Sequence, residues 1–164
     1  MKVVLNGRRT LSPVASIRPF FEWDYYYITE SLTWKSDTDP NHTISIPSGF
    51  VTDLASIPRV FWSILPKTSA YTYPAIIHDY LYWFQPQNYT RKSADEVLKT
   101  TMQELNISKI KIFIIFISVR LWGGTSWKHN KTARERGEKR VLKVFPTELT
   151  TTWATWKNKT DVFE

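Results

Sequence analysis

The stretch from Tyr71 to Leu105 reads YTYPAIIHDYLYWFQPQNYTRKSADEVLKTTMQEL, and the rest of the chain is organised around it. Two helical segments are separated by Gln85-Pro86-Gln87-Asn88, residue types that favour a turn. The first segment begins near Pro74, since proline is tolerated in the first turn of a helix. The second begins at Ser93, which forms a capping box with Glu96. The stretch therefore predicts two antiparallel helices.

Four polar residues of this helix pair are candidates for a functional site. His78 and Tyr82 are four residues apart and share a face of the first helix, with Asp79 about a quarter turn further round. Asp95 lies on the inward stripe of the second helix, since the apolar residues follow it at i+3, i+7 and i+10. A buried carboxylate is costly without a partner. We therefore expect Asp95 to pair with His78 across the two helices.

The residues before the helices predict strands. Phe20 to Thr29 and Ser31 to Ser36 are rich in aromatic and β-branched residues, and the run HTISIPSGF alternates apolar with polar residues. The N-terminal VVLNG run predicts a further strand. The sequence thus predicts an α+β fold, in which a small N-terminal antiparallel sheet from residues 1–50 packs on a helical core of about three helices.

A distinctive loop, residues 46–66, connects the predicted sheet to the helices. Its central part reads IPSGFVTDLASIPR, where Gly49 permits a backbone conformation that other residues avoid and Pro58 stops a helix before it. Asp53 lies between them among small and apolar neighbours. This composition indicates a shaped loop rather than a linker.

A third helix is predicted from Ser108 to Trp122, ending at Gly123-Gly124 as a C-cap. The helices then span residues 71–122, and a single domain spans residues 1–124. The apolar run inside the third helix contains charged residues and is shorter than the ~20 residues of a membrane-spanning helix. We therefore expect a buried helix and no transmembrane segment.

The remaining residues, 125–164, predict a basic C-terminal arm. The net charge is +7, and residues 109–164 hold twelve Lys and Arg against five Asp and Glu, whereas the earlier residues balance. Such a surface can bind nucleic acid or anionic lipid. Trp153 and Trp156 would be exposed on this arm unless it packs on another subunit, so we expect an oligomeric assembly.

Composition excludes several classes of protein. The chain has 164 residues and no cysteine, which rules out disulfide scaffolds, thiolate zinc sites and cysteine nucleophiles. Its first residues lack the long apolar run of a signal peptide. We therefore expect synthesis and residence in the cytoplasm.

The strings GFVTDLASIPR, HDYLY and SADEV resemble a family of uncharacterised proteins of tailed bacteriophages and prophages, a domain of unknown function. The resemblance covers roughly Phe50 to Trp127. It implies a phage protein made in the host cytoplasm, either carried in the virion or associated with it, with other virion proteins as partners.

The His-Asp-x-x-Tyr string followed by Ala-Asp is also distantly similar to the catalytic helices of secreted phospholipases. That similarity implies that His78 is the general base for water, Asp79 a calcium ligand, and Tyr82 and Asp95 the supports of His78. The glycine-rich calcium loop of those enzymes is not matched by Ser48-Gly49-Phe50. Asp53 is then a further candidate metal ligand, and imidazole with carboxylates also suits zinc.

Two functions of different class follow. One is a metal-dependent esterase or other hydrolase, in which His78 and Asp95 act with a calcium or zinc ion at Asp79 and Asp53. The other is a non-enzymatic virion protein of the tail or capsid that docks through its basic arm. In that case, the polar cluster is a structural clamp between two helices.

Overall fold

The computed structural model describes residues 4–5, 8–9, 17–37, 39, 42–54 and 70–164. Within these ranges, seven short strands precede four helices along the chain. The strands are β1 (Val4–Leu5), β2 (Arg8–Arg9), β3 (Ile17–Pro19), β4 (Tyr26–Ile28), β5 (Leu32–Lys35), β6 (Thr43–Ile46) and β7 (Val51–Thr52). The helices are α1 (Thr72–Phe84), α2 (Arg91–Glu104), α3 (Lys109–Glu135) and α4 (Trp153–Trp156). The α+β fold class predicted from the sequence is confirmed.

The strands form two antiparallel sheets, not the single sheet that the sequence predicted. One has the order β2-β1-β5-β6 and the other the order β3-β4-β7. Residues 20–25, predicted as strand, instead turn before β4. Trp34 lies opposite Ile44 and Leu32 opposite Ile46, and all four side chains are buried. This alternation places one face of β5 and β6 against the helices.

The core joins this sheet face to α1. Phe50, Ile76 and Ile77 are fully buried in a cluster that also contains Trp34 and Trp83. A smaller cluster joins α2 to α3 through Leu98, Met102, Ile112, Ile115 and Val119. The helical core is therefore α1, α2 and α3 packed side by side.

The third helix does not end at Gly123-Gly124, so the predicted helical range 71–122 is wrong. Instead, α3 continues to Glu135, and the proposed boundary falls inside it. The helix ends at Gly137, whose φ of 89° is left-handed. The Gly137 N–H donates to the Arg134 carbonyl and the Glu138 N–H to that of Ala133. This is the Schellman pattern of helix ends.

The C-terminal arm packs on its own chain. Bridges join Phe50 to Val141 and Leu142 to Phe163. Trp153 and Trp156 are 4% and 8% exposed, in a cluster that also contains Phe20, Tyr27 and Val51. The expectation that these tryptophans need another subunit to cover them is therefore wrong.

Gly49 lies in direct contact with the C-terminal segment. Its φ is 84°, a left-handed value that favours glycine. A Cβ on Gly49 would overlap the Leu142 carbonyl oxygen. The Leu142 N–H donates to the Gly49 carbonyl at 2.9 Å. The prediction of an unusual backbone at Gly49 is confirmed, and the reason for it is the C-terminal segment.

Candidate functional site

The site lies on α1, at the turn that carries His78 and Tyr82. Both side chains are buried, and their ring centroids are 4.0 Å apart. The helix is buried along most of its length because its first half is almost wholly apolar or aromatic. It ends at Gln85, whose φ of 47° turns the chain before Pro86. The predicted shared face of His78 and Tyr82 is confirmed.

The second helix begins earlier than predicted, and this changes the site. Thr90 is the N-cap: its hydroxyl accepts from the Ser93 N–H at 3.1 Å, and the Ser93 hydroxyl accepts from the Thr90 N–H at 2.8 Å. The predicted capping box of Ser93 with Glu96 is therefore wrong. Arg91 becomes the first helical residue, one turn before Asp95, and so faces it.

Asp95 is fully buried and accepts four side-chain hydrogen bonds. Its Oδ1 accepts from the Tyr82 hydroxyl at 2.6 Å and pairs with Nε2 of His78 at 3.1 Å. Its Oδ2 accepts from Arg91 at 3.3 Å and from Arg120 of α3 at 3.1 Å. The pairing of His78 with Asp95 across the two helices is confirmed. The two arginines compensate the charge that makes a buried carboxylate costly.

The other ring nitrogen of His78 is differently placed. Its Nδ1 is buried and has no hydrogen-bond partner among the described residues. The nearest carboxylate oxygen, Oδ1 of Asp79, is 3.9 Å away, which exceeds hydrogen-bond distance. Such an orphaned polar atom in a native core calls for an explanation. One nitrogen of His78 is thus fixed and the other is free to accept a proton.

Asp79 is held from the β7 side of the fold. Its Oδ2 accepts from the Thr52 hydroxyl, and the Thr52 oxygen in turn accepts from the Leu54 N–H at 3.0 Å. This chain of bonds ties α1 to the end of β7. Asp53 follows Thr52 directly, so the two predicted metal ligands reach the site from different elements. Both line the same cleft.

The carboxylates set the ionisation of the site. Burial is the largest influence on His78 and lowers its pKa, but Asp79 and Asp95 together outweigh it, so the pKa lies above the ordinary 6.5. The pKa of Asp95 lies below 3.8 despite burial, because His78 and Tyr82 stabilise its ionised form. Burial first, and then Asp95, raise the pKa of Tyr82. Tyr82 is therefore a permanent donor to an ionised Asp95.

A cleft of about 390 Å³ opens beside His78. One wall carries His78, Asp79 and Asp53. The far wall comes from α3, both from residues 115–123, which the sequence predicted as helix or helix end, and from residues 125–130, which it predicted as arm, together with Arg140. The side chains or backbone of α3 that line it are Ile115, Ser118, Val119, Trp122, Gly123, Thr125, Ser126, His129 and Asn130. The volume is that of a small-molecule pocket.

Gly123 explains how α3 passes so close to Tyr82. A Cβ at this position would overlap the Tyr82 hydroxyl oxygen, whereas a Cβ on Gly124 would meet nothing within 4 Å. Glycine at 123 is therefore a packing requirement of the site. The dipeptide that predicted a helix end instead lets two helices approach.

A family model described as "Protein of unknown function (DUF1353)" matches residues 26–119, more than half of the chain. The chain belongs to the DUF1353 family. No curated protein and no solved structure matches it. The matched range contains His78, Asp79, Tyr82 and Asp95 and stops one residue before Arg120. The polar centre of the site is thus part of the family domain, whereas much of the far wall of the cleft lies beyond the match.

Sequence reasoning missed several residues of this DUF1353 site. Arg91 could have been found, because it lies four residues before Asp95 on the same helix. Arg120 had a weaker signal, as a charge inside the apolar run of α3. Thr52 and Arg140 had none, since long-range packing brings Thr52 to Asp79 and Arg140 to the cleft. Arg140 is buried with its guanidinium 4.3 Å above the ring of Trp83 and 3.2 Å from a Glu138 oxygen.

A divalent cation fits this donor set only in part. Within the ranges that the structure describes, no group of three or more His, Cys, Asp or Glu side chains is suited to hold a metal ion. Asp53 and Asp79 offer a pair of carboxylates, and one Asp79 oxygen is taken by Thr52. Residues 55–66 of the motif loop lie outside the described residues. Calcium or zinc at this cleft stays a prediction.

Proposed function

We propose that this DUF1353 protein is a hydrolase in which Nδ1 of His78 is the general base that activates water. The observation that carries the proposal is the asymmetry of the imidazole. Nε2 is paired with Asp95, the carboxylate that accepts four side-chain hydrogen bonds including this one. The buried Nδ1 has no hydrogen-bond partner among the described residues. A base oriented by a carboxylate on its far nitrogen is the arrangement that water activation needs.

The proton path follows from the hydrogen bonds. In the neutral imidazole, Nε2 carries the proton and donates to Asp95, which leaves the lone pair on Nδ1, a buried atom with no hydrogen-bond partner among the described residues. Water donates a proton to Nδ1 while its oxygen attacks the carbonyl carbon of an ester or amide. The imidazolium then returns this proton to the leaving oxygen or nitrogen as the tetrahedral intermediate breaks. The products are an acid and an alcohol or amine.

Asp95 orients the imidazole and does not take its proton. Two arginines and Tyr82 already donate to its oxygens, and its pKa is lowered. A carboxylate with these partners stabilises the imidazolium as a fixed negative charge. Tyr82 and Asp95 are therefore positioning residues for His78, in agreement with the roles that the phospholipase resemblance implied.

Asp79 has the exposure and position for a second role. It is 11% exposed at the cleft, whereas Asp95 is 0% exposed. Its carboxylate adds negative charge beside Nδ1 and favours the imidazolium that forms when water is deprotonated. If a divalent cation binds, Asp79 and Asp53 would hold it, and the cation would supply Lewis-acid polarisation of the carbonyl.

The test is ester hydrolysis by the purified chain and by His78→Gln. The panel contains p-nitrophenyl acyl esters and short-chain phospholipids, each with chelator, with calcium and with zinc. We expect His78→Gln to lose at least about 10²-fold in kcat/KM, the usual contribution of a general base. The matched control is His42→Gln, since His42 also pairs with a tyrosine, Tyr89, but lies outside the cleft.

Two outcomes contradict this proposal. One is equal activity in the wild type and in His78→Gln. The other is a nitrogen NMR spectrum in which the neutral His78 carries its proton on Nδ1, because the lone pair would then point at Asp95 and no base would face the cleft. The second measurement needs no substrate.

A phage origin for this protein, with synthesis in the host cytoplasm and later carriage in the virion, is part of the proposal and rests on the motifs quoted above. The rival function, a non-enzymatic virion component, is favoured by one observation. The first half of α3 exposes large apolar side chains, among them Phe113 at 66%, as partner surfaces do. Stoichiometric copies in purified particles, measured by mass spectrometry, would support it.

A further inference from the structure

The first half of α3 exposes a line of large apolar residues. Ile110, Phe113, Ile117 and Leu121 are 73%, 66%, 39% and 67% exposed. They are three or four residues apart, so they form one continuous line along the helix, here named the α3 stripe. Four adjacent apolar side chains turned to solvent are unusual for a surface without a partner.

The opposite side of α3 is occupied. Ile112, Ile115 and Val119 pack against Leu98 and Met102 of α2. The cleft-lining residues of α3 lie roughly opposite the stripe, given ~100° per residue. A partner on the stripe would therefore leave the cleft open, and the stripe is separate from the site of the proposed hydrolase.

A groove of about 760 Å³ runs between the stripe and the end of α2. Phe113, Phe116 and Ile117 line it together with Lys99 and Lys109, and no carboxylate is among the described residues that line it. The groove is thus apolar at its base and cationic at its rim.

The charge pattern of the helix indicates what covers the stripe. From Leu105 to Arg134 the sequence contains six Lys or Arg and no Asp or Glu. Lys109 and Lys128 are exposed, and so is Lys131, which lies 3.9 Å from Glu135. A second copy of the chain would bring the same cations to the rim and repel the first, whereas anionic lipid headgroups would neutralise them.

We propose that the α3 stripe docks on the surface of an anionic lipid bilayer, with the helix lying in the plane of the interface. Apolar and aromatic side chains on one line with lysines beside them are the pattern of interfacial helices. The stripe residues would enter the headgroup region, and the exposed lysines would contact lipid phosphates. The cleft would face the aqueous side.

The helix lies on the bilayer and does not cross it. Within the described residues, α3 alone is long and apolar enough to span a membrane by length and composition, and 28% of its most apolar window is buried in the fold. Crossing would expose the buried face of α3 and would break the pair of Arg120 with Asp95, which links α3 to the site. A charge without its partner inside a bilayer is expensive.

The test is co-sedimentation of the full chain with vesicles of mixed phosphatidylglycerol and phosphatidylcholine, beside pure phosphatidylcholine. We expect binding to the mixed vesicles that weakens with salt. The double variant Phe113→Ser, Leu121→Ser should bind about 10² times more weakly, since burying each large apolar side chain contributes a factor of ten or more. The triple variant Lys109→Gln, Lys128→Gln, Lys131→Gln should lose about tenfold or more.

The matched control is Phe21→Ser. Phe21 is 57% exposed, a fraction similar to that of Phe113, but it follows β3 and does not lie on α3. It should bind vesicles as the wild type does. Circular dichroism checks that each variant is folded, which we expect because all the changed side chains are exposed.

Three results would overturn the proposal. They are no wild-type binding to the mixed vesicles, equal binding by the Phe113→Ser, Leu121→Ser variant, and a dimer in sedimentation velocity that the same variant abolishes. The last would assign the stripe to a second copy. Loss of ester hydrolysis in His78→Gln has no bearing on vesicle binding, so failure of the hydrolase proposal and failure of this one can be told apart.

Discussion

At the scale of the residue, His78 lies between two carboxylates that act differently. Asp95 is saturated by donors and fixes Nε2, whereas Asp79 is 3.9 Å from Nδ1 and makes no hydrogen bond with it. Both charges favour the imidazolium and together outweigh the effect of burial on the pKa of His78. The base is therefore active only above this raised pKa, because protonated Nδ1 has no lone pair.

Asp79→Asn tests this balance. Removing the negative charge should lower the pKa of His78, because the imidazolium loses one of the two groups that stabilise it. An NMR titration of His78 should show the fall directly. The acidic limb of the pH–rate profile should move to lower pH by the same amount. Glu96→Gln is the control, since Glu96 is 57% exposed on the outer side of α2. An unchanged or raised His78 pKa in Asp79→Asn would contradict the prediction.

The pairing of His78 with Asp95 could be predicted from sequence because helical spacing places each residue on an inward face. That reasoning also found Tyr82. Spacing says nothing of residues on other elements, so the Thr52 hydroxyl on Asp79 and the Arg120 guanidinium on Asp95 were missed. The buried negative charge of Asp95 implied a cationic partner, but the sequence pattern did not indicate which residue supplies it.

At the scale of the element, the close approach of α3 to Tyr82 of α1 depends on one glycine. Gly123→Ala should destabilise the fold and reduce activity, because the added Cβ overlaps the Tyr82 hydroxyl and pushes it away from Asp95. Small-to-large changes in a packed core cost about 1–3 kcal/mol. Urea denaturation measures the free energy of unfolding, and the same ester assay measures activity.

Gly124→Ala is the matched control, one residue along the same helix. A Cβ there meets nothing within 4 Å, and alanine is the better helix former by up to about 1 kcal/mol. We expect this variant to be more stable than the wild type and equally active. Equal effects of the two substitutions would refute the packing role of Gly123.

Both errors about helix ends have one physical cause. Glycine and serine signal helix boundaries through their local conformational preferences, but tertiary packing can place them inside a helix for another reason. Gly123 is required by Tyr82, and Ser93 is the N3 residue of a capping box whose N-cap is Thr90. Gly137, which the sequence had not singled out, has the left-handed φ that follows the end of α3.

At the scale of the molecule, the C-terminal segment packs on the sheet formed by β3, β4 and β7. The sequence predicted a basic arm, because its charges are local, but not where the arm packs. The decisive pairs, Gly49 with Leu142 and Phe50 with Val141, are far apart along the chain. No periodicity or spacing records such pairing, so aromatic residues of the arm were assigned to another subunit.

Trp153→Ala tests the intramolecular packing of the arm. The indole lies 5.4 Å from the ring of Phe20, 5.6 Å from that of Tyr25 and 6.1 Å from that of Phe163, measured between centroids. Removing it leaves a cavity at the junction of arm and sheet, which should lower the free energy of unfolding by about 3 kcal/mol. Urea denaturation at several protein concentrations measures the effect.

Leu149→Ala is the control, because Leu149 lies on the same arm and is 94% exposed. The free energy of unfolding of the Leu149→Ala variant should stay within about 0.5 kcal/mol of the wild-type value. The loss in Trp153→Ala should be independent of protein concentration, since a contact within one chain does not depend on association. A loss that appears only at high concentration, together with weaker self-association, would place Trp153 between subunits and restore the expectation drawn from the sequence.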